Sequence, residues 1–230
     1  MNRSVWGGFF VAKNCESVII AEKYIIFCIM RIDFFICRHG QTDKNVEGVW
    51  QGCKIDVMLN ETGQRQAEEL AKKLRFKIMD VYSSPMVRAV QTANVIAKTN
   101  ARGCDVVIMQ DLRECDFGEA EGVSFVEIQR QYGLDFVNKI MWPTEQCADL
   151  CFPNGESKRK VFERVEACLK RIARQHSSTN VRHKVCVVCH AGVLSALQYG
   201  LGLKDVSYEH CSVLHLQYDT VKGEFLQRFD

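Results

Sequence analysis

The chain has 230 residues, enough for one large α/β domain with a substantial core or for two small domains. Apolar residues make up 47% of it and charged residues 25%, the balance of an ordinary globular protein. The formal net charge of +2 gives no global reason to expect nucleic acid or an anionic membrane as a partner, so any strong positive field must be local.

The first 29 residues are predicted to be an N-terminal extension of uncertain structure, followed by a single domain over residues 30–230. The stretch from Ser17 to Met30 is apolar, but Glu22 and Lys23 interrupt it and leave runs too short for a membrane span of ~20 residues. It also lacks the order of a secretory signal, because no small-residue cleavage site follows the apolar block. A genuine extension and a start-site artefact both fit this stretch.

Twelve cysteines are scattered along the chain without the regular spacing of a small disulfide scaffold. Several of them, including Cys28, Cys37 and Cys186, lie in apolar runs, where free cysteine behaves as a small buried hydrophobe. Because disulfides are rare in the reducing cytosol, we interpret the cysteines as thiols and expect a cytoplasmic protein.

Short apolar runs alternate with longer helical patterns, and no low-complexity linker or internal repeat is visible. Asn60 is a suitable N-cap for the first long helix. The alternation favours a mostly parallel sheet with helices on both faces, an α/β fold of the three-layer α/β/α sandwich type. The section from about 113 to 155 is less regular and is expected to cross the carboxyl edge of the sheet. The predicted strands are 31–37, 78–83, 105–109, 184–189, 212–218 and 224–229, and the predicted helices are 60–74, 86–98, 157–174 and 193–199.

Histidines and other polar side chains follow several of the predicted strands. The tripeptide Arg38-His39-Gly40 comes directly after an apolar strand, and His190 follows another strand in the same way. Because the carboxyl ends of parallel strands share one edge, where open α/β sheets bind ligands, these side chains are expected to converge. The other members of the set are Arg88, in the first turn of the helix after the second strand, and Glu114, just past the third strand.

These motifs, in this order, resemble those of the histidine phosphatase superfamily, the phosphoglycerate-mutase-like group, over residues 31 to about 220. The resemblance implies the phosphoglycerate mutase-like fold and phosphoryl-transfer chemistry. The matching positions are Arg38, His39, Gly40, Thr42 and Asn45; Ser84, Arg88, Ala89, Thr92 and Ala93; Leu112, Glu114, Phe117, Gly118, Glu121 and Gly122; Pro153-Asn154-Gly155-Glu156-Ser157; and His190.

By this resemblance, His39 is the nucleophile that attacks phosphorus and becomes phosphohistidine. A neutral imidazole can do this near pH 7, because its reference pKa is ~6.5. Glu114 would protonate the departing alkoxide and then accept a proton from the water that hydrolyses phosphohistidine. Such chemistry needs positive charge around the transferred phosphoryl group. The residues that would bind this group are Arg38, Arg88 and His190, with Asn45, Gln51 and Gly52 completing the pocket.

The resemblance therefore implies a metal-independent phosphomonoesterase that acts on small phosphorylated metabolites and needs no cofactor. A cofactor-dependent phosphoglycerate mutase is the alternative. Mutases of this type carry extra basic residues in a longer insertion, whereas the stretch from Gly122 to Pro153 contains only Arg130 and Lys139 as basic residues. A non-catalytic phospholigand-binding module is a minor alternative, disfavoured because all the charged positions are intact.

Taken singly, these residues have ordinary structural interpretations. Arg88 alone would be a surface residue, His190 a core histidine and Glu114 a loop carboxylate, but their joint order favours a site. Thr42 can simply cap the loop after the strand. The remaining histidines, which lack such partners and are interpreted as structural or surface residues, are His176, His183, His210 and His215.

Two further features of the sequence bear on function. The run Cys186-Val187-Val188-Cys189-His190 has the spacing used to attach c-type haem, but that interpretation needs an export signal, which is not evident, and an axial partner. We interpret the run as a strand that ends in the second family histidine. Similar proteins often carry an aromatic residue at the position of Ala120, so the pocket wall is expected to be more open there.

Overall fold

The computed structural model describes residues 31–75, 78–100, 103–176 and 182–229, so the predicted extension lies outside the described residues. The described residues form six strands: β1 (Arg31–Arg38), β2 (Asp80–Ser83), β3 (Val106–Ile108), β4 (His183–Cys189), β5 (Val213–Asp219) and β6 (Glu224–Arg228). They form one sheet in the order β3-β2-β4-β1-β5-β6. The first four in this order are parallel, and β5 and β6 run antiparallel at one side.

Every predicted strand and helix is present, with small differences at the ends. The irregular section contains two short helices that were not predicted, α4 (Phe125–Tyr132) and α5 (Leu134–Met141). A further short helix, α1 (Asp43–Val46), is capped by Thr42, whose hydroxyl accepts the Asn45 N–H at 3.2 Å, which confirms the capping role. The helices are α1 (Asp43–Val46), α2 (Glu61–Leu74), α3 (Val87–Thr99), α4 (Phe125–Tyr132), α5 (Leu134–Met141), α6 (Lys158–His176) and α7 (Ala191–Leu201).

Helices cover both faces of the sheet, because successive side chains of a strand point to opposite sides. Along β1, Phe34 and Ile36 pack into the cluster built with α6 and α7, whereas Phe35 and Cys37 pack into the cluster built with α2 and α3. The predicted three-layer α/β/α architecture with a mostly parallel sheet is therefore confirmed. This arrangement keeps the carboxyl edge of β1, β2 and β4 available for the loops that follow those strands.

The haem interpretation fails on geometry. Cys186 and Cys189 are both fully buried in β4, and they lie in the clusters on opposite faces of the sheet. One haem could not bond to both thiols. The cysteines of the described residues are free thiols, and Cys15 and Cys28 lie outside those residues. Across the same described residues, no helix combines the length and the apolar character needed to cross a membrane.

Candidate active site

The parallel pairing of β1 with β4 brings the two motif histidines together. Arg38 is in register with Cys189, so the residues that follow them, His39 and His190, leave the sheet side by side. Their ring centroids are 5.1 Å apart, and both side chains are buried. The His39 N–H donates to the Cys189 carbonyl at 3.0 Å, which ties the two strand ends together.

The backbone sets which nitrogen of His39 can act as a nucleophile. Nδ1 lies 2.6 Å from the carbonyl oxygen of Gly40, an acceptor, so this nitrogen carries the hydrogen of the neutral ring. Nε2 then holds the lone pair. Gly40 is required for this turn, because a Cβ there would lie 2.4 Å from the backbone oxygen of Gly63.

Two arginines border the same region, Arg88 buried and Arg38 partly buried, and both are held mainly by carbonyl groups. Arg88 is 1% exposed and donates to the carbonyls of Gly52 at 2.8 Å and Ile55 at 3.0 Å. Arg38 donates through one terminal nitrogen to the carbonyl of Tyr208. In both guanidinium groups, the buried Nε–H has no hydrogen-bond partner among the described residues. A buried donor without an acceptor costs free energy, because such donors are normally satisfied. An anionic ligand would supply the missing acceptor.

His190 offers a third donor of this kind. Its Nε2 lies 2.7 Å from Ser84 Oγ, and that hydroxyl already accepts the N–H of Met86 at 3.3 Å. A neutral ring that accepts the serine hydrogen at Nε2 carries its own hydrogen on Nδ1. The buried Nδ1 has no partner among the described residues.

Glu114 is positioned by two backbone N–H groups. Oε1 accepts from Cys115 at 2.8 Å, and Oε2 accepts from Gly192 at 3.1 Å. Gly192 leaves room for this contact, since a Cβ there would lie 2.3 Å from Oε1. The carboxylate is buried beside the first turn of α7, and it lines the same cavity as His39.

The predicted neutral residues also reach the site, although parts of them are engaged elsewhere. Asn45 uses Oδ1 to accept the N–H of Thr42 at 3.1 Å, which leaves its amide nitrogen as the available donor. Gln51 uses Oε1 to accept the Thr42 hydroxyl at 3.1 Å. The carbonyl of Gly52 accepts a hydrogen bond from Arg88. Gly52 has a φ of +58°, a backbone conformation that favours glycine.

A cavity of about 340 Å³ contains most of these groups. Its lining combines His39 and the two arginines with aromatic and aliphatic side chains. Ala120, where we expected a more open wall, instead packs in the core and does not line this cavity. The predicted site residues that line the cavity are Arg38, His39, Asn45, Gln51, Gly52, Arg88 and Glu114, and the apolar lining residues are Val49, Trp50, Phe117, Phe125, Met141 and Trp142.

Two basic lining residues, His210 and Lys158, escaped the sequence interpretation. His210, which we took as structural or surface, has its ring centroid 6.1 Å from that of His39. It precedes β5, and the antiparallel direction of β5 brings this segment to the carboxyl edge of β1. Lys158 begins α6 directly after the motif that ends at Ser157, and this position was the available signal. Of the other histidines, His176 contacts Tyr82, His183 contacts Asp80 and His215 contacts Asp33.

Burial, together with the positive charge of Arg88, holds the pKa values of His39 and His190 well below the usual ~6.5. Protonation is thus disfavoured, and we expect both rings to stay neutral when the pH falls from 8 to 6. We expect histidine side-chain nitrogen resonances of both residues, assigned with His39→Ala and His190→Ala, to show no titration in this range. A His39 resonance with a midpoint near pH 6.5 would contradict this expectation.

Comparison with known proteins supports the family that the sequence motifs resemble. The sequence pattern of the histidine phosphatase superfamily (branch 1) matches residues 34–230. The chain is 33% identical over 172 residues to phosphoglycerate mutase-like protein 4 of Arabidopsis thaliana, covering 72% of this chain and 69% of the relative. It is 31% identical over 194 residues to putative phosphoserine phosphatase 2 of Hydrogenobacter thermophilus, covering 83% and 90%.

A solved structure of a phosphoglycerate mutase from Bacillus anthracis superposes with a TM-score of 0.76 at 23% identity, covering 87% of this chain and 92% of that one. This likeness concerns the fold. The chain belongs to the histidine phosphatase superfamily, branch 1, which confirms the family predicted from its motifs. The prediction of a phosphoric monoester hydrolase is likewise confirmed by the family and its phosphatase-named relatives.

Proposed function

We propose that this protein hydrolyses small phosphate monoesters without a metal ion, through a phosphohistidine formed at Nε2 of His39. The observation that carries the proposal is the hydrogen bond from His39 Nδ1 to the Gly40 carbonyl, at 2.6 Å. It leaves a neutral ring with its lone pair on Nε2, in a cavity bordered by the buried Arg88 and the partly buried Arg38. Neutral imidazole beside fixed cations suits phosphoryl transfer.

In the proposed first step, the Nε2 lone pair forms a bond to phosphorus while the bond to the ester oxygen breaks. The unpartnered Nε–H groups of Arg38 and Arg88 and the Nδ1–H of His190 donate to the non-bridging oxygens. Glu114, in its protonated form, donates its proton to the departing alkoxide. Asn45 and Gln51 donate to the same phosphoryl group through their amide nitrogens.

In the proposed second step, water attacks the phosphohistidine and gives a proton to the Glu114 carboxylate. The bond between phosphorus and Nε2 breaks, and inorganic phosphate leaves. The histidine and the glutamate return to their starting states, so no external reactant besides water is consumed. The side chains supply the positive charge that the transferred group requires, and the proposal therefore includes no metal.

Hydrolysis is favoured over mutase activity by the basic residues of the irregular section. Arg130 pairs with Glu127 at 2.7 Å, and Lys139 pairs with Asp135 at 2.6 Å. Both pairs lie on the surface of α4 and α5, and neither cation lines the cavity. A mutase must hold a doubly phosphorylated intermediate, which needs further positive charge at the site, and the stretch from Gly122 to Pro153 supplies none to the cavity.

The proposal is tested by assaying a panel of phosphate esters with and without EDTA. We expect release of inorganic phosphate that EDTA does not diminish. Complete loss after chelation, restored by added metal, would contradict metal independence.

In a second assay, 3-phosphoglycerate is supplied with and without 2,3-bisphosphoglycerate. Rapid formation of 2-phosphoglycerate with little free phosphate would establish the mutase alternative instead.

A further inference from the structure

A cluster of metal-ligating side chains lies at the amino edge of the sheet, opposite the edge that carries the candidate active site. Asp80 is the first residue of β2, His183 is the first residue of β4, and His176 is the last residue of α6. At about 3.3 Å per residue, the seven residues of β4 separate His183 from His190 by roughly 20 Å. The cluster is therefore distinct from the site proposed for phosphoryl transfer.

The strand register places these side chains on one face of the sheet. Asp80 is in register with Val185, which lies two residues after His183 and therefore shares its face. Val185 packs into the core cluster built with α6 and α7, so Asp80 and His183 also face α6. The end of α6 brings His176 onto the same face, where its ring stacks on that of His183 with centroids 3.9 Å apart and planes at 14°.

The three side chains converge closely enough to share one ion. One ring nitrogen or carboxylate oxygen from each of Asp80, His176 and His183 lies within 4.8 Å of those of the other two. A tetrahedral ion with bonds of about 2 Å holds its ligand atoms roughly 3.3 Å apart, so small side-chain rotations suffice. Nε2 of His183 lies 2.5 Å from Oδ2 of Asp80, with a hydrogen between them. An incoming ion replaces that hydrogen, because ligands bind metals in their deprotonated form.

The surroundings of the cluster suit an ion as well. The side chain of Asp80 is 38% exposed, which leaves a path from solvent, whereas that of His183 is buried. The buried Nδ1 of His183 has no hydrogen-bond partner among the described residues, although buried polar atoms normally have one. Tyr82 places its hydroxyl 2.9 Å from Nε2 of His176, a contact of the kind that orients metal-ligating histidines.

We propose that Asp80, His176 and His183 bind one divalent transition-metal ion of the zinc type. Two imidazole nitrogens and one carboxylate oxygen suit zinc, whereas Mg²⁺ and Ca²⁺ prefer oxygen ligands alone. Three protein ligands leave the fourth tetrahedral position to water. The ion is structural, because it ties the end of α6 to the starts of β2 and β4. The proposed phosphoryl transfer at the opposite edge still uses no metal.

The test is zinc binding to the full chain, measured by competition with a chromophoric chelator. We expect the wild-type protein to bind one equivalent of Zn²⁺ that His176→Gln and Asp80→Asn bind at least 10-fold more weakly, since loss of an outer partner alone costs about 10- to 100-fold. Circular dichroism of both variants should match that of the wild type. Equal zinc binding by the wild type and both variants would overturn the proposal.

His215→Gln is the matched control. Nε2 of His215 lies 3.1 Å from Oδ1 of Asp33, so it also belongs to a histidine–carboxylate pair. Across the described residues, no third ligand converges on this pair. The variant should keep the zinc site. Zinc binding weakened in His215→Gln as much as in His176→Gln would show a general loss of stability and would overturn the assignment.

Cobalt identifies the ligands, which matters because the chain has twelve cysteines. Co²⁺ bound by thiolates gives an intense charge-transfer band in the near ultraviolet, and a site of nitrogen and oxygen ligands lacks it. The difference between the Co²⁺ spectra of the wild type and His176→Gln should show visible bands without this thiolate band. A thiolate band in that difference spectrum would overturn the proposed ligand set.

Thermal unfolding tests the structural role. An ion that binds only the folded chain stabilises it, so Zn²⁺ should raise the melting temperature of the wild type and not that of His176→Gln. Mg²⁺ at the same concentration should raise neither. EDTA should reverse the zinc effect without diminishing phosphate release, so this inference and the proposed function can fail separately. An equal zinc shift in both proteins would overturn the site.

Discussion

His39→Ala is expected to abolish both phosphohistidine formation and turnover. Nε2 of His39 is the proposed attacking atom, and alanine supplies no nucleophile in its place. His190 cannot replace it, because its Nε2 is engaged by Ser84 at 2.7 Å. The measurement is labelling with a ³²P-phosphate ester, quenched in alkali, where phosphohistidine survives, together with release of phosphate at steady state.

His210→Asn is the control for this experiment. Its ring also lines the cavity and lies 6.1 Å from the His39 ring, so its loss changes the same surroundings without removing the proposed nucleophile. We expect labelled protein from His210→Asn and none from His39→Ala. Labelling of His39→Ala at the wild-type level, or substantial turnover by that variant, would contradict the proposed mechanism.

Glu114→Gln is expected to slow the hydrolysis of alkyl phosphates by about 10²- to 10⁴-fold, because an alkoxide leaves poorly without a proton donor. The loss should be much smaller for p-nitrophenyl phosphate, whose phenolate leaves without protonation. The measurement is the single-turnover rate of both substrates with the same preparation. The comparison also controls for a displaced side chain, since displacement of the site would slow both substrates.

An equal loss on both substrates would show that Glu114 acts through position or charge and not as the proton donor. Gly192→Ala provides a second measurement. The added Cβ would lie 2.3 Å from Glu114 Oε1 and must displace the carboxylate. We expect the same selective loss on alkyl phosphates from this variant, while Glu114 itself is still present.

Most of the fold was predictable because its signals are local. Asn60 accepts the N–H of Gly63 at 2.8 Å, as expected of an N-cap. The apolar run of β1 became a buried central strand whose side chains alternate between the two cores. The short helices α4 and α5 were missed, because each is only eight residues long and has few buried positions to mark its apolar face.

The residues of the candidate site also fall into two groups, those that local sequence signals revealed and those that only the tertiary structure revealed. Arg38 ends a strand, and His39 and His190 each directly follow one. They were found because a parallel sheet gathers such strand ends at one edge. Lys158 was missed because a lysine at the start of a helix is normally exposed, and only the surrounding packing shows that it is buried. His210 was missed because it precedes its strand.

By itself, the sequence determined the order of the strands and of the four longest helices, the family, and the charged residues proposed for phosphoryl transfer. These depend on periodicity and on the few positions where strands end. The tertiary structure decided that His39 keeps its hydrogen on Nδ1, that Glu114 rests on Gly192, and that Lys158 lines the cavity without an ion-pair partner among the described residues. These features depend on backbone geometry and on contacts between distant residues, which local patterns do not encode.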